Sequence, residues 1–99
     1  MTSKQRSYLK GIAMTTEPIL QIGKSSLTPE LTSAVEEALE ARELIKIHVL
    51  KNCLDSGNSI AETLAERTHA EVVQVIGKKI VLYRQAKDEK KRKIVLPVK

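Results

Sequence analysis

Phenylalanine and tryptophan are absent from this 99-residue chain, and its only aromatic side chains are Tyr8 and Tyr83. That excludes an aromatic core and any surface built, as RRM sheets and OB-fold grooves are, on rings that stack against bases. Cysteine occurs once, at Cys53, so no internal disulfide can form and a reducing compartment is expected. His48, Cys53 and His69 do not have the spacing of metal ligands, so no metal or other cofactor is expected. No apolar run approaches the ~20 residues of a membrane helix. Met1 to Arg6 leads into no apolar stretch of a secretion signal either. The expectation is a soluble, cytoplasmic, monomeric protein of one domain, long enough to bury a core unaided.

A catalytic set is also missing. Cys53 and His48 are five residues apart, too far along an extended chain for direct contact, and Cys53 reads as a small hydrophobe. His48 reads as a polar strand residue, and His69 as a cation near the negative end of a helix dipole. An enzyme is therefore not expected.

What is present is unevenly placed charge. Net charge is +5, made of +3 over residues 1–27, −4 over 28–43, −1 over 44–76 and +7 over 77–99. Basic ends around an acidic helix give one small body a positive and a negative surface. The positive one suits a polyanion held by salt-sensitive phosphate contacts. The bland alternative is a solvated surface that only keeps the protein soluble.

Hydrophobic periodicity gives the elements. Ser3 is the expected cap of a first helix with Tyr8, Leu9, Ile12 and Ala13 as its apolar stripe. Pro18–Ile22 reads as a strand that ends at Gly23. Thr28 caps the next helix with Pro29 at its first position and Glu30 near the positive dipole end. In that helix Leu31, Val35, Ala38 and Leu39 face inward, which puts Glu36, Glu37, Glu40 and Glu43 in water. Leu44–Leu50 alternates as a strand, with Ile45, Ile47 and Val49 on one face and Lys46 and His48 on the other. Ser59 and Glu62 suggest a capping box opening a third helix. Val72–Ile76 and Ile80–Arg84 form a hairpin about Gly77-Lys78-Lys79. The order is a helix and then β-α-β-α-β-β, an α/β two-layer domain with a four-stranded mixed sheet. Residues 1–85 make that domain. Residues 86–99 are a basic extension whose apolar end, Ile94 to Val98, either docks or stays mobile.

The junction Leu20 to Glu30 carries the most chemistry. Gly23 permits close approach of the backbone, Lys24 adds charge, Ser25 and Ser26 add hydroxyls, and the helix starting after Thr28 adds free N–H groups. Backbone clamping by such a loop, as the GXXG loop of KH domains does it, needs no aromatic rings. The competing reading is an ordinary connector in which Gly23 only makes the turn.

Four blocks then resemble one family: Lys4–Ala13, Gly23–Thr28, Ala38–Ile47 and Val73–Arg84. Together, in order and at matching spacing, they resemble the CRM domain, and its stand-alone bacterial YhbY-type RNA-binding form above all. The Arg92–Pro97 end is similar too. The resemblance implies a fold related to KH domains and to the C-terminal domain of translation initiation factor three. It also implies association with ribosomal RNA in precursors of the large ribosomal subunit. The family's GxxG loop falls on Gly23-Lys24-Ser25-Ser26, with Ser26 in place of the second glycine, so a positive φ there would strain the chain. The expected RNA contacts are Lys4, Arg6, Lys10, Gly23, Lys24, Ser25, Ser26, Lys78, Lys79 and Arg84. An alternative is a protein-interaction module whose acidic helix binds a basic ribosomal protein.

Overall fold

The computed structural model describes residues 1–98, so Lys99, the last residue of the expected extension, lies outside the described residues. Helix α1 spans Ser3–Ala13, strand β1 Pro18–Ile22, helix α2 Pro29–Arg42 and strand β2 Leu44–Val49. Helix α3 spans Gly57–Thr68, strand β3 Glu71–Ile76 and strand β4 Lys79–Tyr83, and a short 3-10 turn covers Glu89–Lys91. The sheet order is β1-β2-β4-β3, with β1 parallel to β2 and both other pairings antiparallel. The expected element order and mixed sheet are thus the observed ones.

Two helix starts differ from the sequence expectation. Thr2, not Ser3, caps α1: its hydroxyl accepts from Gln5 N at 3.1 Å, and Gln5 Oε1 accepts from Thr2 N at 3.0 Å. Gln at the third helical position makes the reciprocal pair possible one residue earlier. Ser56, not Ser59, caps α3 and accepts from Ser59 N at 3.1 Å. The earlier start lays Gly57 against β3, where an added Cβ would lie only 3.2 Å from Val75 Cγ1. Thr28 caps α2 as expected, accepting from Leu31 N at 3.0 Å, with Pro29 at the first position, where a missing N–H costs nothing.

Strand alternation divides the core. Ile45, Ile47 and Val49 of β2 and Ile80 and Leu82 of β4 meet Val35 and Leu39 of α2 and Ile60 and Leu64 of α3. Leu44, Val73, Val81 and Tyr83 point the other way and meet Leu9 and Ala13 of α1. Helix α1 therefore covers part of the second sheet face and adds to the two expected layers. Tyr8 departs from the expected apolar stripe. It sits on the outer flank of α1 and is 45% exposed, while Tyr83 is buried.

The largest departure is Glu43. Helix α2 ends one residue before β2 begins, and Glu43 makes that turn alone at φ 66°, a conformation usually left to glycine. Its side chain turns inward and is fully buried. The carboxylate accepts from Ala86 N at 2.8 Å, Lys93 N at 2.6 Å and Ile94 N at 2.9 Å. Its backbone oxygen accepts from Arg84 N at 2.9 Å. Burial alone would raise its pKa. The three N–H donors, with Arg92 nearby, outweigh that and hold it below the ordinary value. Helical phase predicted a wet side chain because it assumed the helix still ran at position 43.

Residues 86–98 are thereby laid onto the domain as a strap. Glu40 accepts from Lys87 N and Asp88 N, each at 2.9 Å. Ile94 and Leu96 pack on the α1 side of the core, and Gln5 Nε2 donates to Pro97 O at 3.0 Å. Ile94, Leu96 and Pro97 of the apolar end thus contact the domain, while Val95 and Val98 are exposed.

Glu43→Gln puts an NH2 group against backbone donors and is expected to lower stability by about 2–3 kcal/mol. The folded pKa of Glu43 lies below the unfolded value near 4.5, so the unfolded chain takes up the proton first. The stabilisation is therefore complete above about pH 4.5 and lost as pH falls through the folded pKa. Thermal melts from neutral to acid pH should show a shallower acid loss in Glu43→Gln than in the parent.

Candidate nucleic-acid interface

Parallel strands end on the same edge, and here β1 and β2 both run into a loop and then into a helix N-terminus. Leu50 N donates to Ile22 O at 2.8 Å, which keeps the two exits side by side. The β3–β4 hairpin reaches the same edge, where Val49 N donates to Lys78 O at 2.7 Å. Gly77 takes the positive φ of 55° that this two-residue turn requires. Three loops and two helix starts thus meet at one end of the domain.

The loop Gly23–Ser26 is a single turn closed by Ser26 N on Gly23 O at 2.9 Å. Ser26 adopts φ 51°, the left-handed conformation that the glycine of a GxxG loop would take without strain. Its hydroxyl donates to the Asp55 carboxylate in the β2–α3 loop, which ties the two loops together. Gly23 has no such backbone demand. Its φ is not positive, and a Cβ there would meet Asn52 Oδ1 at an ordinary 3.4 Å. The turn can therefore be made without glycine at 23.

Lys24 and Lys78 are exposed at this end, and Lys79 is half-buried beside them. Lys51 joins them as an exposed cation that the sequence analysis missed. It lies two residues past the end of β2, so its place beside the β1 loop becomes legible only once β1 and β2 are known to be parallel neighbours. Gln21 pairs with His48, and His48 with Lys79, across the sheet face on the α1 side. A shallow groove of about 300 Å³ continues that face, lined by Met14, Lys46, Gln74, Ile76, Lys79 and Val81.

The remaining expected contacts divide. Lys4 and Lys10 are exposed on α1, on the opposite sheet face from α2 and α3. Arg6 is turned inward, and its guanidinium donates to the carbonyls of Val72 and Val73. Arg84 does not extend the basic surface. It is buried, ion-paired with Glu36 and Glu40, and donates to Thr68 O at 3.1 Å, joining β4 to α2 and to the end of α3. His69 caps α3 through its backbone at φ 59°, with its N–H on Ala65 O, and needs no charge to do so.

No group of three or more His, Cys, Asp or Glu that could hold a metal ion occurs among the described residues. No helix among them is long and apolar enough to cross a membrane. The end of the domain is a surface of cations, N–H groups and hydroxyls around a hydrogen-bonded turn, groups of the class that suits an anion.

The comparisons agree with that class. Residues 1–84 match the CRS1 / YhbY (CRM) domain, and the chain belongs to this family. The probable RNA-binding protein YqeI of Bacillus subtilis is 42% identical over 90 residues, which cover 91% of this chain and 94% of that protein. An RNA-binding protein of Haemophilus influenzae is 34% identical over 90 residues, 91% of each chain. The solution structure of a hypothetical protein from Staphylococcus aureus is similar at TM-score 0.78 and 45% identity, covering 98% of this chain and 99% of that one.

Ser26→Ala keeps the strained φ and loses the bond to Asp55, so it should cost about 1 kcal/mol. Ser26→Gly loses the same bond but relieves the strain, and should fall within about 0.5 kcal/mol of the parent. Urea midpoints of the two variants check this, and equal losses would show that φ at position 26 carries no strain.

Proposed function

We propose that this protein binds RNA through its phosphate backbone and acts, in the cytoplasm, on ribosomal RNA in precursors of the large subunit. The observation that carries the reading is the convergence of Lys24, Lys51, Lys78 and Lys79 around the turn Gly23–Ser26 and two helix N-termini. Each element suits a phosphate: N–H groups at helix starts, serine hydroxyls, and ammonium groups on exposed stems. Relatives named as RNA-binding proteins, and the family itself, support the ligand class. The ribosomal setting rests on the family resemblance.

The alternative, a module that binds a basic ribosomal protein through its acidic helix, has fewer free carboxylates than helical phase suggests. Glu36 and Glu40 hold Arg84, Glu40 also holds the strap, and Glu43 is buried. Glu30 and Glu37 remain exposed, and the Glu36 side chain is 41% exposed beside its partner Arg84.

Lys24→Glu should weaken RNA binding several-fold and leave the melting temperature unchanged, because the side chain is exposed. Gly23→Ala should do the same if RNA approaches the backbone there, since the fold has room for the methyl group. Fluorescence anisotropy on a ribosomal RNA transcript reads both. Co-sedimentation of the tagged protein with large-subunit precursors at low salt, lost as salt rises, tests the ribosomal setting. Protein found only at the top of the gradient would refute that setting.

A further inference from the structure

A basic segment lying across an acidic helix is expected to be held by ammonium–carboxylate pairs, and the strap is held differently. Glu40 and Glu43 accept backbone N–H groups of Ala86, Lys87, Asp88, Lys93 and Ile94. Asp88 in turn accepts from Lys90 N at 3.0 Å. The ion pairs among the described residues are those of Arg84 with Glu36 and Glu40. The carboxylates therefore order the backbone of the strap and leave the side chains of Lys87, Lys90, Lys91 and Lys93 exposed and outside ion pairs, with Lys87 and Lys91 sharing a cleft with Glu36, Glu37, Glu40 and Asp88. Lys91 is near enough to favour the charged form of Glu40 without pairing with it. Ile94 and Leu96 turn inward, which anchors the segment.

The location is separate from the loop end. Gly23–Ser26 leads into the first turn of α2, while Glu43 lies just past its last. Fourteen helical residues place the two ends about 20 Å apart. The family match ends at residue 84, before the strap begins.

We propose that the strap is a second phosphate-binding surface, so that one molecule grips RNA at two points on opposite ends of α2. This rests on the RNA-binding reading above and adds a partner site to it. An already ordered backbone spares the segment its backbone entropy cost on meeting a polyanion, and a strand bound at one end meets the other at high effective concentration. Four lysines on phosphates of a single strand should contribute about 3 to the slope of log affinity against log salt.

The test compares the full chain with Lys87→Gln/Lys90→Gln/Lys91→Gln/Lys93→Gln, the matching quadruple Lys→Arg variant, and Lys24→Gln/Lys51→Gln/Lys78→Gln. The probe is a uridine oligomer of about 30 nucleotides, long enough to reach both ends, titrated across a range of salt. The expected result is a slope lower by about 2–3 and affinity at least tenfold weaker at ~0.1 M salt for the strap Lys→Gln variant. The Lys→Arg variant should match the parent. An unchanged slope in the strap variant, with weakened binding in the loop-end variant, overturns this proposal and leaves the RNA reading standing. No salt-dependent binding by the parent overturns both. Thermal melts verify folding. If the quadruple variant melts early, Lys90→Gln/Lys93→Gln is read in the same way at half the slope change.

Discussion

The far end of the domain depends on one buried carboxylate. Glu43 ends α2, starts β2, receives the end of β4 and holds the strap at two points seven residues apart. Taking a carboxylate out of water costs several kcal/mol even after relaxation. Three charge-assisted bonds to backbone N–H groups, each worth about 1.5–3 kcal/mol, are of the size needed to offset it. The strained backbone at Glu43, φ 66° and ψ −44°, adds a further cost of about 1–3 kcal/mol. Glycine would remove that strain but leave three donors buried without an acceptor, and this explains a glutamate in a glycine's position. Tyr83 feels the same group, since burial and the Glu43 charge together raise its pKa.

At the opposite end the constraint is topological. A parallel β1–β2 pair joined through α2 must release both strands at one edge, and each then enters a helix from its positive end. The hairpin reaches the same edge because β4 lies antiparallel to β2. The basic loop end is thus a consequence of strand order, and only the side chains placed on it are chosen by the sequence. Ser26 and Asp55 link the two loops across the gap, at the cost of one left-handed serine.

The parts of this arrangement that were legible in the sequence are those set by local rules. Alternation at Leu44–Val49, the Thr28-Pro29 helix start and the Gly77 turn each follow from neighbours in the chain, and all are found where those neighbours put them. The rest depended on partners far along the chain. Arg84 looks like any strand-end cation until Glu36 and Glu40 are known to lie opposite. Lys51 gains its place from a pairing between strands separated by a helix. Glu43 was misread because periodicity carries no information about where a helix stops, and the residue that stops this one is not glycine, asparagine or proline.

The missing aromatic rings and the gripped strap bear on the same point. With Tyr83 buried and Tyr8 alone on the surface, the domain has no platform on which to stack successive bases. An RNA ligand would then be held by charge and by hydrogen bonds to phosphate, contacts that position a strand without reading its letters. Selectivity in such a module has to come from geometry, meaning the distance and orientation between contact points compared with what a folded RNA offers. A helix α2 with the backbone beneath a set of cations held at each end would fix such a distance, and a loose basic tail would not. This gives a physical reason for the glutamates of α2 to bind the backbone of the strap and not its lysines: the backbone is what must be held still, and the charges are what must stay free.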